Sequence, residues 1–116
     1  MNWYKKAQEM TDEKARDAFL ASVKKHLPSG GSIQFEEYGG PRYLELSDIT
    51  ATAPGKGWGS IAMQIIVDNA SYYGIELMVL PVGEPGSEKH ERLADFYNRY
   101  GFEDEGGGSY HRHIFK

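Results

Sequence analysis

Three glycines at alternate positions, Gly55, Gly57 and Gly59, lie between a run with strand character, 43–52, and a run with helix character, 61–73. A strand that turns through bare backbone into a helix is a strong constraint on topology. Without side chains, several N–H groups can converge on one anion, and the following helix adds its positive N-terminal end. The stretch Pro54-Gly55-Lys56-Gly57-Trp58-Gly59-Ser60 therefore reads as a phosphate cradle at a strand-to-helix turn.

The rest of the pattern supplies what surrounds this turn. Ala15, Phe19, Val23 and Leu27 recur every fourth residue, which predicts an amphipathic helix over 12–27 capped by Thr11 or Asp12. Pro28-Ser29-Gly30-Gly31 stops it. Residues 32–38 and 43–52 predict a hairpin around Gly39-Gly40-Pro41. The second strand changes phase, because Leu44 and Leu46 alternate but Ile49 falls on the other parity. An extra residue near Ser47-Asp48, a β-bulge, keeps all three on one face and re-aims backbone groups just ahead of the glycines. Residues 61–73 predict a helix ended by Gly74, and 75–82 a buried strand. Ser87 caps a third helix whose apolar stripe is Leu93, Phe96, Tyr97 and Tyr100; Gly101 closes it. Two short strands follow, starting at Phe102 and Tyr110. The order helix, strand, strand, helix, strand, helix, strand, strand makes an α/β domain with a mixed sheet.

Bulk properties narrow the function. At 116 residues there is room for one domain. A hydrophobic fraction of 40% and a charged fraction of 26% are ordinary for a soluble protein. No apolar run is long enough for a bilayer, and the first residues lack the apolar stretch of a signal peptide. The absence of cysteine excludes a thiol nucleophile and a cysteine metal site, and agrees with a cytoplasmic setting. A net charge of −4 argues against nucleic acid and favours cationic partners such as amines. His111 and His113 share a parity on the last strand, but no third metal ligand follows by spacing. The string GxxxxGK[ST] is absent, and Ser60 occupies the last glycine position of GxGxxG, so ATP and NAD fit poorly.

Strand, Pro54-Gly55-Lys56-Gly57-Trp58-Gly59-Ser60, helix, apolar strand, then Phe96-Tyr97-Asn98-Arg99-Tyr100-Gly101-Phe102 together resemble the GCN5-related N-acetyltransferases. Their pyrophosphate loop follows Q/R-x-x-G-x-G/A, and a later helix ends in Tyr-x-x-x-Gly-Phe. The likeness covers 32–116, the cofactor-binding core, with 1–31 as a short N-terminal helical part, as in compact phage-like members. It implies a three-layer domain with a central, mostly antiparallel mixed sheet, and acetyl-CoA as cofactor. Backbone N–H groups of Gly55, Lys56, Gly57, Trp58, Gly59 and Ser60 would bind the pyrophosphate, and Ile49 and Ala51 would pair with the pantetheine arm. The Ile49 N–H would polarise the thioester carbonyl, Tyr97 would protonate the leaving thiolate, and Glu45 would act as base, with Asp48 and Glu84 as rivals. Pro54 stands at the Q/R position, so Lys56 would supply the charge there. His90 stands near a helix-start Asn common in the family, and would join the cofactor-binding residues. The implied reaction is direct acetyl transfer to an amine of a protein or small molecule. The alternative is a degenerate coenzyme A-binding or interaction module. A homodimer through an exposed last strand is a further expectation.

Overall fold

The structure, a computed structural model, describes residues 10–53, 55–81 and 86–114. Eight elements follow in the expected order. They are α1 (Asp12–His26), β1 (Gly31–Glu37), β2 (Tyr43–Ala51), α2 (Trp58–Tyr73), β3 (Glu76–Val79), α3 (Glu88–Asn98), β4 (Glu103–Asp104) and β5 (Tyr110–Arg112). The sheet order is β1-β2-β3-β5-β4. Only β2 and β3 run parallel; the other neighbouring pairs are antiparallel.

Each helix begins and ends for a local reason. Thr11 caps α1 by accepting from the Lys14 N–H, with Asp12 and Glu13 in the first turn and Lys24, Lys25 and His26 in the last. Both ends suit the helix dipole. Ser87 caps α3 through the His90 N–H. Gly74, left-handed at φ 69°, ends α2 by donating to the Ala70 carbonyl. α2 begins earlier than the apolar period predicts, at Trp58, because Gly57 takes a left-handed φ of 82° that lets the chain enter the helix directly.

The core lies on one face of the sheet. Register places Leu44 opposite Leu77, and Leu77 opposite Arg112, so these side chains share a face. Phe35 opposes Leu46 on that face and packs edge-on against Phe19 of α1. Phe19, Leu44, Met63, Ile66, Leu77 and Phe102 are fully buried there. Burial of such side chains contributes about 1.5–3 kcal/mol each. Arg112 donates to the Ser71 hydroxyl of α2 and to the Tyr100 carbonyl after α3, so both helices cover the same face as α1. The connections β2-α2-β3 and β3-α3-β4 both cross the sheet in the same direction. With one handedness they must land on the same side. The third layer implied by the family resemblance is therefore not formed by the described residues.

Arg42, 9% exposed, ties α1 to the end of α2. It donates to the Asp12 carboxylate, the carbonyls of Met10 and Tyr73 at 2.7 Å, and the carbonyl of Gly74 at 3.2 Å. The guanidinium thus satisfies the open carbonyl end of α2 that the helix dipole makes negative.

The last strand does not meet the expectation of an exposed edge. β5 is hydrogen-bonded on one side to β3 and on the other to β4. The chain passes β5's place in the sheet to lay down β4 first and then returns, so β5 is interior.

Candidate functional site

The hairpin register contains the extra residue. Gln34 opposes Asp48 and Phe35 opposes Leu46, leaving Ser47 without a partner position in β1. The Ser47 hydroxyl donates to the Gln34 carbonyl at 3.2 Å, which holds the bulge. Two backbone bonds show what it does. The Tyr38 N–H donates to the Tyr43 carbonyl at 3.0 Å, and the Thr52 N–H to the Gly30 carbonyl at 2.7 Å. Positions 43 and 52 both face β1 although they are an odd number of residues apart. Strict alternation forbids that, and the bulge reconciles it. Counting back from Thr52, Thr50 and Asp48 face β1, so the N–H and C=O groups of Ile49 and Ala51 face the opposite edge.

Among the described residues, that opposite edge has no strand beside it past Glu45. The parallel ladder of β2 with β3 covers only Tyr43 to Glu45 against Glu76 to Met78. Beyond Glu45 the strands part, and a cavity of about 430 Å³ opens between them. Leu46–Ala51 form one wall; Gly59 of α2, Leu80 beyond β3, and Leu93, Phe96 and Tyr97 of α3 form the others. The site is a slot with apolar walls and one edge of free backbone donors and acceptors. It suits an extended ligand that carries amides and can pair as a strand does.

The glycine turn closes one end of the slot. Gly55 and Gly57 are left-handed, at φ 85° and 82°, with open space where a Cβ would stand. The first turn of α2 has no acidic residue and no capping side chain. Its N–H groups and dipole are left for an outside anion, unlike those of α1 and α3. Lys56 is exposed beside them. The Phe96 ring would stand 4.0 Å from a Cβ on Gly59, in ordinary contact range, and the Tyr100 hydroxyl donates to the Ser60 carbonyl at 3.3 Å, so α3 is fastened to this turn.

Trp58 offers only its backbone to the turn. Its ring is buried at 7% exposure, its Nε1–H donates to the Pro28 carbonyl at 3.0 Å, and it packs on Gly30 and Gly31. Ile49 and Ala51 stand as expected along the slot. Tyr97 lines it too, with its ring edge-on to Phe96 and Phe102. Burial, and next the charge of Asp48, raise its hydroxyl above the ordinary tyrosine value, so it stays protonated at neutral pH.

Other expected residues fall elsewhere. Glu45 is not in the slot wall; it sits at the last paired position before the split, on the sheet face away from the helices. Asp48 does line the slot, with its carboxylate accepting from the hydroxyls of Thr50 at 2.7 Å and Ser32 at 3.3 Å. Glu84 and Pro54 lie outside the described residues. His90 is not brought into the slot: it lies a turn before Leu93, where α3 passes over β5, and its ring packs edge-on to Tyr110 at 6.5 Å. His111 and His113 stack at 5.5 Å, and His113 pairs with Glu105 and Glu76; the Glu105 hydrogen bond is the main cause that raises the His113 pKa above its ordinary value. No group of metal-ligating side chains occurs among the described residues.

Sequence reading missed Leu80, which is 51% exposed and forms a rim of the slot. The buried strand expected over 75–82 ends at Val79, so Leu80 lies beyond it. No helix among the described residues is long and apolar enough to cross a membrane.

No family model and no curated protein matches this sequence. Among solved structures, the crystal structure of the anti-CRISPR protein AcrVA5 is similar, with a TM-score of 0.55 and 23% identity. The match covers 72% of this chain and 90% of that one. At this identity the likeness establishes a shared fold: a compact α/β domain with a mixed five-stranded sheet flanked by helices.

Proposed function

We propose that this chain is an acetyl-CoA-dependent N-acetyltransferase acting on a primary amine. The observation that carries the reading is the slot itself. The Ser47 bulge leaves the Ile49 and Ala51 backbone groups free along an edge that β3 has abandoned, and a glycine turn with an uncapped helix lies at its end. Pantetheine has two amides in an extended chain and continues into a pyrophosphate, and this combination fits such a slot.

In this reading the acceptor binds as an ammonium and gives a proton to a carboxylate, directly or through water. Asp48 lines the slot and is the nearer base; Glu45 stands one step beyond the end where β2 and β3 are still paired. The neutral nitrogen attacks the thioester carbon. The carbonyl oxygen takes up the electron pair and is met by the Ile49 N–H. As the carbon–sulfur bond breaks, Tyr97 gives its proton to the coenzyme A thiolate, and the nitrogen, cationic after its attack, loses its second proton through water to the Tyr97 oxygen. Most of the rate gain comes from orientation in the slot and from that one N–H donor.

A second reading, an interaction module of the same fold without turnover, draws on Pro54 at the position where the family carries Gln or Arg. The name of the solved relative, an anti-CRISPR protein, makes a CRISPR effector the first protein acceptor or binding partner to try.

The test is a calorimetric titration with acetyl-CoA, with ATP and NADH as controls. Selective binding of acetyl-CoA is expected, and ligand at a hundred times its Kd should add about 2.7 kcal/mol of stability. Absence of binding overturns the enzyme reading.

A further inference from the structure

The outer edge of β1 is built to receive a second strand. Among the described residues, β1 pairs only with β2. Tyr38 and Gly30 bond to β2, and by alternation so do Ser32, Gln34 and Glu36. The backbone groups of Gly31, Ile33, Phe35 and Glu37 therefore point outward. Edges of this length are commonly blunted by proline, lysine or a bulge. β1 has no proline and no lysine, and the bulge lies on β2. Beside the edge runs an apolar groove of about 470 Å³ between α1 and β1, lined by Leu20, Leu27, Ile33 and Phe35 among others.

We propose that this edge pairs with the β1 edge of a second copy of the chain, antiparallel about a two-fold axis at Gln34. Gln34 is the midpoint of Gly31–Glu37, so this register uses the whole strand. It sets Ile33 against Phe35 and Gly31 against Glu37, the residues whose polar groups face outward. The contact is isologous, as a two-fold dimer requires. Charge selects this occupant over an unrelated apolar strand. Glu37 lies at one end of the groove, paired with Arg16, and Lys24 lines the other end with Ser32 and Ile33. The two-fold axis brings Lys24 of each copy to Glu37 of the other, while the neighbouring acidic Glu36 meets neutral Ser32. The apolar grooves become continuous across the axis.

Sedimentation velocity over a concentration series reads the state directly. The expected result is a shift toward twice 13.1 kDa with rising concentration. Ile33→Pro removes an outward N–H without touching the ladder to β2, and should leave a folded monomer. Lys24→Glu should weaken the dimer at least tenfold, and Glu37→Lys should do so as well. The double variant carrying both changes should recover it, since the charges then meet in reversed order. Hydrogen exchange should show the Ile33 and Phe35 amides protected only in the dimer. A wild-type monomer at every concentration overturns the proposal, as does protection of those amides in a monomer. A dimer that Lys24→Glu leaves intact also overturns it. Should Ile33→Pro unfold by circular dichroism, the charge exchange alone decides.

Discussion

Gly31 and Trp58 are in contact so close that not even a methyl group fits between them. A Cβ on Gly31 would stand 2.6 Å from the Trp58 ring and 2.6 Å from the Thr50 carbonyl oxygen. The contact fixes the start of β1 against the first turn of α2, and so sets where the glycine turn lies relative to the end of β2.

Gly31→Ala should cost about 1–3 kcal/mol, because one of the two obstacles is backbone and cannot swing aside. Chemical denaturation checks this. Unchanged stability would mean that the Trp58 ring is not seated on this glycine. Affinity for acetyl-CoA should fall together with stability, since displacing Trp58 moves α2's first turn.

Deleting Ser47 isolates the bend of β2. The deletion restores regular alternation and keeps Ile49 on the same face and edge, so it removes the kink alone. The helices should persist by circular dichroism. Acetyl-CoA affinity should fall at least tenfold as β2 straightens toward β3. Wild-type affinity in the deletion would show that the slot does not depend on the bulge.

Tyr97→Phe should keep cofactor binding and lower turnover by roughly 100-fold, the lower range for a lost proton donor. The pH profile carries the sign. Burial raises the folded hydroxyl above its ordinary value of about 10, so the protonated form persists throughout the neutral and mildly alkaline range. Turnover should rise as the acceptor amine deprotonates, and decline only above about pH 10, where Tyr97 begins to ionise. The Phe variant should lack that alkaline decline. Full turnover in Tyr97→Phe would assign the thiolate proton to water.

Arg42→Met should destabilise the fold by about 2–4 kcal/mol, because it leaves the Tyr73 and Gly74 carbonyls and the Met10 carbonyl without their donor. A thermal melt measures this. Acetyl-CoA binding below the melting range should be unchanged, since Arg42 is not part of the slot. A large affinity loss in the folded variant would contradict that separation.

Local chemistry was legible because it is written in short range. Thr11 and Ser87 cap helices because a hydroxyl reaches an N–H three residues on. Gly74 marks a helix end because only glycine takes a left-handed φ cheaply, whereas the start of α2 at Trp58, after a left-handed Gly57, was not read from the apolar period. The Ser47 bulge followed from the parity of Leu44, Leu46 and Ile49, since a buried face tolerates no slip. Placement across the sheet was not legible. That Asp48 rather than Glu45 lines the slot depends on where β3 stops pairing with β2. That His90 meets Tyr110, and that β5 is interior, depend on α3 crossing over one strand before the chain returns. That the three described helices share a face depends on both crossovers running the same way. The sequence by itself determined the elements, their caps and the bulge, which are matters of backbone conformation and local burial. Only the tertiary structure decided which side chains meet, because that rests on strand order and on the divergence of two strands far apart in the chain.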